Sequence, residues 1–154
     1  MLPLPAIGID KLNTSQIMSQ KPPLFIQQSA VIPYRIVDGE IEIMVITSST
    51  RKRWVIPKGL VEPDMTPQDS AAKEAWEEAG IIGTVWPNLL GIYEYQKWGG
   101  TCQVKVFLFQ VEIVLENWPE AKMRRREWVS IAKAVKRVEE LDLKHMIANL
   151  PNIL

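Results

Sequence analysis

The stretch from Thr66 to Gly80 constrains this chain most, because both ends of a helix are written into it. Thr66 can accept a hydrogen bond from the first turn, Pro67 suits the first helical position, and Asp69 sets a carboxylate at the positive end of the helix dipole. Good helix formers fill residues 70–79, and Gly80 supplies a left-handed stop. At about 100° per residue, Ala72, Ala75, Trp76 and Ala79 share one stripe, which is predicted to face a core. Glu74, Glu77 and Glu78 fall opposite it at i, i+3 and i+4, so the three carboxylates are neighbours.

Strand signals surround this helix. Residues 25–35 and 40–47 are rich in β-branched and aromatic side chains, and Asp38-Gly39 between them favours a tight hairpin turn. Residues 54–56 read as a short strand ending at Pro57. Residues 89–98 and 103–114 form a second pair joined through Gly99-Gly100, and residues 127–129 could add another strand. Residues 131–138 and 141–150 look helical. Strands, helix, strands and helices in that order imply an α/β domain with a mixed sheet.

Length and charge set the outer bounds. A chain of 154 residues fits one domain with a real core. Eighteen basic and eighteen acidic residues cancel, so bulk charge argues neither for nor against nucleic acid, although basic residues bunch at 51–53 and 124–126. Cys102 is the only cysteine, which excludes an internal disulfide and any multi-cysteine zinc site. His145, the only histidine, reads as a surface or half-buried residue of the last helix. No apolar run is long enough to span a bilayer. Residues 1–24 carry Pro3, Pro5, Pro22 and Pro23 without periodicity and are expected to be an extension, with the domain over 25–154. No basic region of a secretory signal precedes their apolar start, so a cytoplasmic setting is expected.

An acidic helix face is by itself ordinary solvated surface. Its context is not ordinary. Gly59 stands fifteen residues before Glu74, in a Pro57-Lys58-Gly59 turn that ends a strand, and Gly80 closes the helix two residues after Glu78. Two glycines and three glutamates so fixed arise by chance in roughly one chain in a few thousand of this length.

From Gly59 to Ile81 the sequence resembles the Nudix box: Gly, five residues, Glu, seven residues, Arg-Glu, apolar, any, Glu-Glu, any, Gly, apolar. The flanks Trp54-Val55-Ile56-Pro57-Lys58-Gly59 and Leu90-Gly91-Ile92-Tyr93-Glu94 fit it too, and the likeness runs from about Ser29 to Leu150. The resemblance is to the MutT-like Nudix hydrolases. Glu116-Asn117-Trp118, residues 124–128, Ser48-Ser49 and residues 51–54 look like the branch that hydrolyses diphosphoinositol and dinucleoside polyphosphates. It implies an α/β/α fold, a mixed sheet sandwiched between helices, and Mg²⁺- or Mn²⁺-dependent cleavage of a phosphoanhydride bond.

Glu74, Glu77 and Glu78 would hold the metal, joined by the Gly59 carbonyl, and Glu78 or Glu77 would orient or deprotonate the attacking water. Hard cations of this kind prefer carboxylate oxygen to His or Cys. Arg35, Arg51, Arg53, Lys58, Arg124 and Arg126 are candidates to bind substrate phosphates. Tyr34, Tyr95 and Trp98 are candidate pocket walls, whereas Trp54, Trp76 and Trp128 are expected to pack in the core. The box departs at two positions: its first Glu is Met65 and its Arg is Lys73. In the family those two residues brace the loop, and Lys73 could instead reach Glu77 or a loop acid such as Glu62. The expected partner is a small phosphorylated molecule and not a membrane or nucleic acid, with the protein a monomer or homodimer. Two other readings use the same residues: a non-catalytic sensor of a phosphorylated ligand, and RNA-end processing.

Overall fold

A computed structural model of the protein describes residues 24–154. The expected extension over residues 1–24 lies, apart from Leu24, outside the described residues. The β-branched and aromatic runs form the long strands of one eight-stranded sheet. Strand β1 (Phe25–Val37) turns through Asp38 and Gly39 into β2 (Glu40–Thr47). Both turn residues have positive φ, 51° and 79°, which is the twist a two-residue hairpin needs. Strand β3 (Trp54–Val55) and strand β4 (Lys58–Leu60) follow, β3 on β2 and β4 on β1.

Helix α1 (Pro67–Glu74) continues as a π-helical turn, Ala75–Ala79. Then come β5 (Ile81–Val85), β6 (Gly91–Lys97), β7 (Gly100–Val114) and β8 (Arg126–Ser130). Helices α2 (Ile131–Arg137) and α3 (Leu141–Ala148) end the domain. The main path of the sheet is β3-β2-β1-β7-β5, with β6 on β7 and β8 on β2. The β1–β7 pair is parallel and the other pairs are antiparallel, so the sheet is mixed.

Alternation along the central strands builds two cores. Ala30, Ile32, Ile43, Val45, Val106 and Leu108 pack on one face with Ala134, Leu143 and Ile147 of α2 and α3. Val31, Met44, Ile46, Phe107 and Phe109 point the other way and meet Ala71, Ala75 and Ala79. A sheet covered on both faces carries near-continuous apolar strands, as β1, β2 and β7 do. The architecture is the α/β/α sandwich implied by the sequence.

Three local expectations are corrected. Lys58 and Gly59, read as part of a turn, lie in strand β4 paired with β1, and β5 had no clear pattern of its own. The second hairpin turns at Trp98 and Gly99 (φ 54° and 71°), one residue earlier than Gly99-Gly100. Trp76, expected in the core, is 42% exposed. The π turn explains this last shift. It takes more residues per turn than an α-helix, so a four-residue step returns to the same side. Ala71, Ala75 and Ala79 therefore form the buried stripe, Trp76 rotates outward, and Glu78 is drawn under the helix to 8% exposure.

Candidate active site

Fastenings at both ends hold the glutamate helix. At its start the Thr66 hydroxyl accepts from the Asp69 amide at 3.1 Å, the expected cap. Buried Ser70 donates to the Leu60 carbonyl at 3.0 Å, tying the helix to the preceding loop. Lys73 lies 2.6 Å from Glu62 and 3.6 Å from Glu77. A brace between helix and loop thus exists despite Met65, with its acid three positions earlier. At the far end the orphan carbonyls are accounted for one by one. Glu77 O accepts from the Glu120 amide at 3.0 Å, and Glu78 O from the Trp118 indole at 3.0 Å. Ala79 O accepts from Arg126 at 2.8 Å, and Gly80 O from the Leu115 amide at 2.8 Å. The loop between β7 and β8 is therefore clamped against the π turn.

That clamp brings charge to the carboxylates. Arg124 donates to Glu78 at 3.0 Å and to Glu120 at 2.8 Å, with both Arg124 and Glu78 largely buried. The Lys58 amide donates to the other Glu78 oxygen at 3.1 Å. Glu74 packs so closely on Gly59 that a Cβ there would stand 2.2 Å from its carboxyl. Burial pushes the Glu74 carboxyl up to about 7, helped by the negative charges of Glu78, Glu77 and Glu120. Burial likewise pushes Glu78 up to about 7, against the opposing pull of Arg124 and the Lys58 amide. Burial lowers the Lys58 ammonium from its ordinary value, with nearby Glu78 resisting.

A cavity of about 620 Å³ opens over these groups. Glu74, Glu78 and Gly59 line it, together with Arg53, Lys58 and Arg124 from the expected phosphate contacts. Arg53 also pairs with Glu139 at 2.8 Å and Glu140 at 3.0 Å, which fixes it at the rim. The remaining expected contacts are not among the lining residues. Arg51 bonds the carbonyls of Lys122 and Met123, Arg126 caps the π turn and stacks on Trp118, and Arg35 pairs with Glu42 beside Trp128. Tyr95 and Trp98 line the cavity as expected, but Tyr34 is core, its hydroxyl accepting from Trp86. Trp54 and Trp128 are partly buried against the core, and His145 is exposed. Lys97 and Glu120 were not singled out from sequence, and Lys52, which lines the cavity, was read only as part of the basic run 51–53. Glu120 carried one legible sign, its i,i+4 spacing to Arg124.

The Nudix domain model matches residues 27–150, four-fifths of the chain and the whole of the sheet beyond its first two residues. The chain belongs to the Nudix family. The mouse diphosphoinositol polyphosphate phosphohydrolase 3-alpha is 33% identical over 129 residues, covering 82% of this chain and 77% of the mouse protein. The Arabidopsis thaliana mitochondrial Nudix hydrolase 13 is 32% identical over 129 residues, covering 70% of this chain and 64% of the plant protein. The chain therefore spans less than two thirds of the plant relative's length. The C. elegans Ap4A hydrolase structure superposes with a TM-score of 0.70 over 84% of this chain and 98% of that one, at 20% identity, a likeness of fold.

This Nudix domain offers a hard cation a suitable environment. Glu74 and Glu78 are crowded, partly desolvated carboxylates whose ionised forms lack enough counter-charge, and a divalent ion would supply it. The oxygen-only donors suit Mg²⁺ or Mn²⁺. Each carboxylate is nonetheless held by a different neighbour, Glu77 by Lys73, Glu78 by Arg124, and Glu74 against Gly59. Among the described residues no three acidic, His or Cys side chains converge as a ready cluster. No helix among them is long and apolar enough to cross a membrane.

Proposed function

We propose that this Nudix domain is a Mg²⁺- or Mn²⁺-dependent pyrophosphohydrolase acting on a polyphosphorylated small molecule, either a dinucleoside polyphosphate or a diphosphoinositol polyphosphate. The observation that carries the reading is the convergence of the buried Glu78 carboxylate, Glu74 and Gly59 with the cations Arg53, Lys58 and Arg124 around one cavity. The names of the mouse and C. elegans relatives point to the same two substrate classes.

The metal, held by Glu74, Glu77 and Glu78 with the Gly59 carbonyl, would neutralise phosphate charge and acidify water. The chain's own groups do the rest. Arg124, Lys58 and Arg53 bind phosphate oxygens and hold the anhydride over the helix. Water attacks phosphorus, its proton passes to Glu78, and the anhydride P–O bond breaks with the leaving phosphate taking the electron pair. Glu120, bonded to Arg124, keeps that guanidinium aimed at Glu78. A cytoplasmic setting and a monomer or homodimer belong to the same proposal; the plant relative named mitochondrial is the counterexample that cell fractionation would address.

The test is phosphate release from both substrate classes with Mg²⁺ or Mn²⁺, before and after Glu78→Gln. Loss of activity by about 10²-fold or more in a folded variant is expected. Ligand-dependent thermal stabilisation without turnover in the wild type would overturn the reading in favour of a binding module.

A further inference from the structure

Two hairpins in this domain share one turn geometry and fill it differently. Asp38-Gly39 uses a residue that tolerates positive φ, the common solution. Trp98-Gly99 places an indole at φ 54°, where a bulky side chain is a genuine outlier. Packing does not compensate for it, because Trp98 is 57% exposed. Strain that burial does not repay concentrates at ligand sites, and this residue stands in the wall of the cavity that holds Glu74 and Glu78.

Its neighbourhood pairs a flat apolar ring with positive charge. The Lys97 ammonium lies 4.5 Å from the indole centroid. Lys97 and Lys52, both lining the cavity, have no carboxylate partner among the described residues. An inositol ring crowded with phosphates has no planar face to offer an indole. A nucleobase tethered to phosphates has both components.

We propose that Trp98 is a specificity-determining residue that stacks on the base of a nucleoside polyphosphate. The inference rests on the hydrolase reading above and narrows its substrate to the nucleotide class. The polyphosphate lies along Lys58 and Arg53, and the terminal nucleoside rests at the hairpin tip.

The test compares kcat/KM for a dinucleoside tetraphosphate with that for a diphosphoinositol polyphosphate, using Mg²⁺-loaded wild type, Trp98→Asn and Trp98→Phe. Asn suits a left-handed turn, so Trp98→Asn should fold with a thermal midpoint equal to or above wild type. The ratio is expected to fall about tenfold or more in Trp98→Asn, through KM, and to recover in Trp98→Phe. An unchanged ratio, or equal losses on both substrates, would overturn the proposal. Calorimetric binding of ADP and of pyrophosphate separates this result from the fate of the hydrolase reading. Tighter binding of ADP that disappears in Trp98→Asn sustains stacking even in a protein without turnover. Equal affinity for the two ligands in an active enzyme refutes stacking and leaves hydrolysis standing.

Discussion

Gly59 shows how a single missing carbon can shape a carboxylate site. Its backbone pairs with Ser29 in the sheet, so the glycine is needed for space and not for an unusual φ. A methyl group there would stand 2.2 Å from the Glu74 Cδ and Oε1 atoms, and the flexible Glu74 side chain would give way before the strand did. Gly59→Ala is therefore expected to keep the fold and to weaken Mg²⁺ binding by about 10–100-fold, the usual cost of disturbing what positions a ligand. Magnesium titration alongside circular dichroism would check it; unchanged affinity in a folded variant would show that Glu74 is not a metal ligand.

At the scale of elements, the π turn is held by partners outside its own helix. Trp118→Phe removes the indole donor from Glu78 O and leaves a buried carbonyl short of a partner. The expected loss is about 1–3 kcal/mol, or a fall in thermal midpoint of roughly 2–4 °C per kcal/mol. Trp76→Phe on the exposed side of the same turn should stay within about 0.5 kcal/mol of wild type. Thermal melts of the two variants make the comparison. The same contrast explains what the sequence revealed. Capping by Thr66, Pro67 and Gly80, and the apolar runs of β1, β2 and β7, depend on neighbouring residues and were legible. The π turn, β4 and β5 depend on partners distant in the chain, and were not. The candidate site divides likewise: Glu74, Glu78 and Gly59 stood out by spacing, as did Arg53 and Arg124 by charge clustering, whereas Glu77, equally marked by spacing, pairs with Lys73 and is not among the cavity's lining residues. Lys52 and Lys97 gained meaning only when separate loops met over one cavity, Glu120 only through its pair with Arg124, and Arg126 proved to serve a helix end.

At the scale of the whole molecule, the two-sided sandwich forces a cost that metal binding can offset. The sheet and α1 exclude water from Glu74 and Glu78, and both carboxyls rise from 4.5 to about 7. Between about 4.5 and 7 the folded protein consequently binds more protons than the unfolded chain. By linkage, the contribution of these two groups to unfolding free energy falls as pH rises through that window. Above about 7 both are ionised in either state and the penalty is constant. Glu127, lowered by Arg137, acts oppositely but below its ordinary value of 4.5, so it does not obscure the range from pH 5.5 to 7.5. Without metal, the thermal midpoint is thus expected to drop across that range, and the slope should flatten in Glu74→Gln. The proposed site takes metal on ionised carboxylates, so the midpoint increment expected from Mg²⁺ is larger at pH 8 than at pH 6. At about a hundred times its dissociation constant that increment corresponds to roughly 2.7 kcal/mol. Calorimetric melts with EDTA and with Mg²⁺ at the two pH values test both halves. A metal increment independent of pH would mean that the ion binds away from Glu74 and Glu78, and the acidic helix would lose its assignment as the metal site.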